Sequence, residues 1–150
     1  MKYSKEEIVY RTCKTVVRHI RNHVEEDRGG IHTRLFSHIL HPENDFVCLG
    51  KSSATNSSED THPEHVVPCV VLVEETRRLI REGQLTDDDI AKLLQKHWKI
   101  ALITKNEART IDYELGYKST MPEGWCFETG DTLARLRAAN INITLAGNAF

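Results

Sequence analysis

The sequence lacks the features on which several protein classes depend. It has four cysteines among 150 residues, all far apart and without a CxxC pair, so neither a zinc ribbon nor a redox dithiol is indicated. No apolar run approaches the roughly 20 residues of a membrane-spanning helix. The net charge of −2 is too small for a surface that is basic all over. The N-terminal residues lack the apolar core of a secretory signal, so we expect a cytoplasmic protein with free thiols and no membrane contact.

What the sequence does contain indicates one globular domain over residues 1–150. Apolar residues make up 39% of the chain and charged residues 28%, as in soluble proteins that bury a core without disulfides. Helical periodicity dominates, while FVCLG (46–50) and KIALI (99–103) have the length and composition of strands. We therefore expect an α+β domain, predominantly α-helical, with four to six helices around a small two- or three-stranded sheet.

Capping residues and apolar periodicity locate the helices. Ser4 and Glu7 have the spacing of a capping box, which predicts a helix over residues 5–26. Pro68 and Gly83 are suited to begin and end a second long helix, and Thr86 begins a third, so that the two form a helical hairpin. The remaining predictions are short helices within 31–45, after Thr104 and after Thr129 or Asp131, a mobile loop over 51–60, and a short strand or loose tail over 141–150.

The stretch THPEHVVP (61–68) places the most chemistry in the fewest residues. Glu64 is a carboxylate that can hold a divalent cation, and His65 is an imidazole that can take a proton from water. Pro68 starts a helix directly afterwards, and the dipole of that helix favours a phosphate nearby. Cation, base and dipole together suit phosphodiester hydrolysis. Because Glu64 and His65 are adjacent, they point to opposite sides of an extended strand, and one site can use both only if the strand end twists.

The residues EHVVP resemble the acidic residue, histidine, Val/Ile, Val, Pro signature of the His-Me finger, or HNH-like, nucleases. The resemblance implies a ββ-α finger in which residues 68–97 are a helical insertion, KIALIT (99–104) is the second strand and KNEARTIDYEL (105–115) is the helix. It implies a metal-dependent endonuclease that cleaves nucleic acid, DNA in preference to RNA, with one divalent metal ion such as Mg²⁺. The implied roles are His65 as general base, Glu64 as metal ligand and Asn106 or Glu107 as the further ligand.

Arg77, Arg78 and Arg81 lie on the outer side of the helix after Pro68. They are expected to contact phosphates if that face borders the site.

Three alternatives stand beside the nuclease hypothesis. Glu107 also has capping-box spacing from Thr104, which explains it without a metal. The pairs His38/His41 and His62/His65 are each three residues apart and can form a structural metal site, with Cys48 or Cys69 as an added ligand. The mixed charge and exposed arginines also fit a small non-enzymatic regulator or inhibitor that binds another protein. The nuclease hypothesis requires that KIALITKNEA folds back beside THPEHVVP.

Overall fold

A computed structural model describes residues 2–57 and 60–145 and shows the predicted α+β class. None of the helices in these residues is long and apolar enough to cross a membrane. The helices are α1 (Lys5–Glu25), α2 (Leu35–Ile39), α3 (Asn44–Val47), α4 (Cys69–Glu82), α5 (Asp87–His97), α6 (Lys105–Arg109) and α7 (Ala134–Ala138). The strands are β1 (Cys48–Ser52), β2 (Thr61–His65), β3 (Ile100–Thr104) and β4 (Ile143–Leu145). Ser53–Ser57 forms a 3-10 helix and Thr110–Glu114 a π-helical turn.

The long helices begin and end where their capping residues predict. The Ser4 hydroxyl accepts a hydrogen bond from the Glu7 amide at the start of α1, and Thr86 does the same for Asp89 at the start of α5, both at 3.1 Å. Gly83 ends α4 with a left-handed φ of 70°. Local sequence is therefore sufficient to explain these three elements.

The four strands form a mixed sheet in the order β2-β3-β1-β4. Strand β3 pairs antiparallel with β2 and parallel with β1, while β4 pairs antiparallel with the outer side of β1. Pro63 is tolerated because β2 is an edge strand. Gly50 is required where β1 pairs with β4, since a Cβ at this position would collide with the carbonyl oxygen of Thr144. The contact that the nuclease hypothesis requires is present, because KIALIT folds back beside THPEH.

Several boundaries differ from the predictions. The described residues contain one helix and one strand more than the expected ranges. The short α3 carries too little periodicity to be recognised, whereas β4 lies within 141–150, where a short strand or a loose tail was expected. Phe46 and Val47 belong to α3, so the predicted strand 46–50 begins only at Cys48 and continues to Ser52. The predicted loop 51–60 thus begins as strand and 3-10 helix, and residues 58–59 lie outside the described part. Ile143–Leu145 confirms a short terminal strand, whereas residues 146–150 are likewise not described.

The sheet has a hydrophobic cluster on each face. The larger cluster joins α1, α4 and α5 to one face and includes Ile20, Leu72, Leu94, Trp98 and Ile100. The smaller cluster covers the other face and includes Leu49, Val66, Ala101, Ile103 and Leu136. Strand β3 is therefore apolar on both sides, as its sequence IALIT predicts. Each residue of the neighbouring β2 is assigned to one face by its partner in β3.

Candidate functional site

Strand β2 sends Glu64 and His65 to opposite faces of the sheet. Glu64 lies opposite Ala101 in β3, on the side of the smaller cluster, and His65 lies opposite Ile100, on the side of the larger one. Directly opposed residues of an antiparallel pair share a face, so the two side chains diverge. The expectation from adjacency in an extended strand is therefore met. The implied single site that uses both residues is not formed.

The imidazole of His65 is held by a buried carboxylate. His65 Nε2 lies 2.7 Å from Glu43 Oε2, and the indole Nε1 of the fully buried Trp98 donates to the same oxygen at 2.6 Å. Glu43, which precedes α3, is 8% exposed, and His65 is half-buried. A buried carboxylate requires such partners, because an unpaired charge in this position would be strongly destabilising. The pair ties the chain before α3 to the end of β2.

The charge state of this pair follows from competing effects. Burial alone would lower the pKa of His65, but hydrogen bonds with the side chains of Cys69 and Glu43 outweigh it and raise the pKa to about 10. Burial would raise the pKa of Glu43, yet the hydrogen bonds from His65 and Trp98 lower it. The pair is therefore imidazolium and carboxylate at neutral pH. An imidazolium cannot accept a proton, so the predicted role of His65 as a general base toward water does not fit this state.

Cys69 supplies a thiol beside the same imidazole. It is the first residue of α4, four positions after His65, and its free side chain is half-buried. The Nε2 atom of His65 is engaged by Glu43, and the side chain of Cys69 interacts with the same imidazole. The amides of Val71 and Leu72 donate to the Pro68 carbonyl, whereas the amides of Cys69 and Val70 have no acceptor within the helix. A thiol, an imidazole, a carboxylate and two helix-start amides thus occupy one end of β2.

Glu64 is bound by a fully buried arginine on the opposite face. Arg135 Nη2 lies 3.2 Å from Glu64 Oε2, and its remaining donors bind the carbonyls of Val66 at 3.2 Å and Tyr117 at 2.8 Å, with a further bond to the carbonyl of His65. His62 Nε2 lies 3.4 Å from the other oxygen of Glu64. The carboxylate predicted to hold a metal is thus the counter-ion of a guanidinium.

The other predicted metal ligands do not join Glu64. Asn106 is exposed and follows Thr104, which pairs with Thr61 at the far end of β2. Glu107 Oε1 accepts from the Thr104 amide at 2.9 Å and from the Ser52 hydroxyl at 2.6 Å, and so completes the capping box. In the ranges 2–57 and 60–145 no three His, Cys, Asp or Glu side chains are grouped to hold a metal ion. In the described residues, neither the implied nuclease ligands nor the HxxH pairs come together, and both metal sites stay predictions.

The predicted phosphate contacts are mostly occupied by carboxylates. Arg78 binds Glu75, Glu82 and Glu128, and the largely buried Arg77 binds Glu74. Arg81 alone is exposed in the manner that the prediction required. The outer side of α4 is a network of ion pairs within the protein. Arg77 and Arg78 are thus paired within the chain, and their role toward phosphates stays a prediction.

Two residues of the observed clusters, Glu43 and Arg135, escaped the sequence argument as functional groups, and Cys69 was predicted only as an added ligand of the HxxH metal site. A role for Cys69 beside His65 had a local signal in the sequence, since Cys69 lies four residues after His65 and directly follows the helix-starting Pro68. Glu43 and Arg135 carried none, because they lie 22 and 71 residues from their partners His65 and Glu64.

Comparisons with protein-family models, curated proteins and solved structures find no match to this chain. We therefore infer its function from the geometry of these two clusters.

Proposed function

We propose that the chain is a cysteine-dependent enzyme that transfers or hydrolyses acyl groups, with Cys69 as nucleophile. The observation that carries this proposal is one imidazole, His65, that is hydrogen bonded to a buried carboxylate and interacts with the half-buried thiol of Cys69 at the start of a helix. The same division of labour recurs in thiol hydrolases of unrelated fold, where geometry defines the site. Glu43 orients the ring and compensates its charge.

The proposed reaction proceeds in two steps. The thiolate of Cys69 attacks the acyl carbon, a carbon–sulfur bond forms, and the imidazolium of His65 gives its proton to the leaving group as that group departs. Neutral His65 then takes a proton from water, whose oxygen attacks the acyl carbon, and the carbon–sulfur bond breaks to restore thiolate and imidazolium. The amides of Cys69 and Val70 are suited to bind the negative oxygen that develops in each step, since the positive end of the α4 dipole lies there.

The substrate class follows from the nucleophile: esters, thioesters and activated amides. A suitable assay mixes the purified protein with p-nitrophenyl acetate and with an acyl thioester, and follows a burst of leaving group equal to the protein concentration. Cys69→Ala should abolish the burst. Cys126→Ser is the matched control, because the exposed Cys126 is remote in sequence from His65 and should leave the burst unchanged. An unchanged burst in Cys69→Ala, or none in the wild type with either substrate, would overturn the proposal.

A second candidate function is the metal-dependent endonuclease implied by EHVVP. It is favoured by one observation, the order of elements along the chain. Strand β2 pairs antiparallel with β3, α6 follows β3 at once, and α4 and α5 come between β2 and β3 in the sequence. This is the strand, strand, helix order that the resemblance implies. Such an enzyme would require Glu64 to leave Arg135 and His65 to lose its proton before either group acts.

One pair of variants separates the two candidates. Cys69→Ala removes the thiol chemistry but should spare a nuclease, whereas His65→Ala should remove both. Cleavage of plasmid DNA and of RNA with Mg²⁺, Mn²⁺, Zn²⁺ or Ni²⁺ measures the second activity. If neither DNA nor RNA is cleaved with any of these ions, the nuclease candidate is excluded. If acyl transfer is absent as well, the non-enzymatic regulator becomes the favoured hypothesis.

A further inference from the structure

The outer side of α1 carries positive charge without acidic residues among it. Residues 8–24 contain no aspartate or glutamate but four cationic side chains, those of Arg11, Lys14, Arg18 and Arg21. Their spacing of three and four residues places them side by side on the helix, and the first three are exposed. The opposite side of α1 is buried in the larger cluster through Val9, Cys13, Val16, Val17 and Ile20. The helix therefore presents a basic side to solvent, although the chain as a whole has a net charge of −2.

Two open grooves follow this side of α1 and meet at Lys14 and Thr15. The first has a volume of about 450 Å³ and is lined by residues between Ile8 and Thr15, and the second has about 420 Å³ and is lined by residues between Lys14 and Asn22. At about 1.5 Å per residue, the combined length from Ile8 to Asn22 is roughly 21 Å. We call this surface the α1 groove. Apart from Ile8, its lining residues are charged or polar.

Arg11 and Arg18 keep their charge available in the α1 groove. Within residues 2–57 and 60–145 neither guanidinium pairs with a carboxylate or donates a hydrogen bond, whereas Lys14 pairs with Asp88 of α5 at 3.4 Å. The guanidinium of Arg11 lies 4.3 Å from the centre of the Tyr3 ring, a cation–π contact that orients it. Two oriented or exposed arginines thus have unused N–H donors along one groove.

The phosphate backbone of a nucleic acid is the partner that this groove fits best. Arginine forks match phosphate oxygens, and lysine and asparagine side chains such as Lys14 and Asn22 also bind them. An acidic protein segment fits less well, because protein partners are anchored by apolar or aromatic side chains in pockets and the groove is polar. A membrane also fits less well, since the large apolar side chains exposed in the described part of the chain lie on other elements: Val70, Tyr113 and Leu145.

We propose that the α1 groove binds the phosphate backbone of a nucleic-acid strand without reading its base sequence. The inference concerns a surface other than the imidazole and thiol of the proposed active site. It does not rest on the chemistry of Cys69.

The test titrates a fluorescein-labelled oligothymidylate of about 20 nucleotides with the purified chain and follows fluorescence anisotropy. The double variant Arg11→Gln with Arg18→Gln should weaken binding about tenfold or more at low salt. Each contact to a single strand contributes about 0.7 to the slope of log K against log salt, so that slope should become shallower by about 1.4. Both side chains are exposed, so the urea midpoint of the double variant should equal that of the wild type.

The matched control is Arg109→Gln with Lys118→Gln, which also removes two exposed cations. These residues adjoin Ala108 and Tyr117, which pack in the smaller cluster on the other face of the sheet. Their loss should change the affinity by less than about twofold. Asp88→Asn should act in the opposite direction, with binding tightened by about twofold or more, because it releases Lys14 and removes a negative charge beside the groove.

Equal weakening by the two double variants would refute the α1 groove, because charge anywhere on the surface would then suffice. The same titration with polyglutamate, and co-sedimentation with vesicles of phosphatidylserine and phosphatidylcholine, tests the other polyanions. If either is bound as tightly as the oligothymidylate, the assignment to nucleic acid is overturned in favour of an acidic protein or a membrane. Absence of binding to the oligothymidylate at about 50 mM salt would overturn it as well.

Discussion

Two polar clusters lie on either side of β2, and they differ in what remains open to a partner. The guanidinium cluster, Glu64 with Arg135, is buried, and each of the three guanidinium nitrogens of Arg135 donates at least one hydrogen bond. The imidazole cluster consists of Glu43, His65, Cys69 and Trp98, and it includes a thiol that is half-buried and free. Consecutive residues of one strand thus serve a closed ion pair and an open site.

The difference shows how two adjacent polar residues of one strand, Glu64 and His65, can have different roles. Loss of either partner of a buried ion pair leaves the other as an unpaired charge and destabilises the fold, and a pair buried in this way is not exposed to a substrate. A histidine–carboxylate pair that also interacts with a thiol retains a proton that can be moved. Glu64 belongs to a pair of the first kind and His65 to a pair of the second kind. The side of the strand, and the long-range partner found there, decide the role.

The largest effect should come from Arg135→Met. Removing the guanidinium leaves Glu64 as a buried charge and the carbonyls of His65, Val66 and Tyr117 without donors, so we expect the free energy of unfolding to fall by about 3–5 kcal/mol. Urea denaturation at pH 7 measures the change. As a control, the double variant Glu64→Leu with Arg135→Met should be more stable than Arg135→Met alone, since no unpaired charge remains. A loss below about 1 kcal/mol in Arg135→Met would contradict the role assigned to this cluster.

The sequence predicts what depends on neighbours along the chain. The caps at Ser4, Thr86 and Thr104 locate α1, α5 and α6, and alternation along β2 separates Glu64 from His65. The capping box also explains Glu107. The partners that give the clusters their chemistry come from distant segments, and neither periodicity nor capping contains information about such pairings.

Arg135 illustrates this limit best. An arginine in a short helix of sequence ARLRA is typical of a solvated face, yet it is fully buried, while Arg137 two residues later is exposed. Only the assembled sheet, with Glu64 and three carbonyls directed at one point, makes that burial favourable.

The second effect concerns pH and the imidazole cluster. The pKa of His65 is about 10 in the folded protein and near 6.5 without its partners, so between these values the folded state holds a proton that the unfolded state releases. Stability from this group is therefore complete below pH 6.5 and is lost as the pH rises toward 10. We expect a decrease of about 2–4 kcal/mol across this range in urea titrations.

The variant Glu43→Gln tests whether the decrease in the free energy of unfolding between pH 6.5 and 10 comes from the pairing of His65 with Glu43. The amide oxygen of glutamine can still accept from Trp98 but no longer compensates an imidazolium, so the decrease between pH 6.5 and 10 should be flatter than in the wild type. The buried His97 provides the contrast. Burial, opposed by the carbonyl of Phe127, lowers its pKa to about 4, so its contribution is lost as the pH falls from 6.5 toward 4. Equal slopes above pH 6.5 in Glu43→Gln and the wild type would show that His65 is not paired as described.

The smallest effect on stability, and the sharpest on chemistry, should come from Cys69→Ser. Serine is close in shape to cysteine and the side chain is half-buried, so the free energy of unfolding should change by less than about 1 kcal/mol. The acyl burst should nevertheless disappear, because a hydroxyl beside an imidazolium is a far weaker nucleophile than a thiolate. Urea denaturation and the p-nitrophenyl acetate assay on the same preparation measure both quantities. If Cys69→Ser instead lost several kcal/mol while the burst persisted, the thiol would belong with the closed guanidinium cluster, and the contrast between the two faces of β2 would fail.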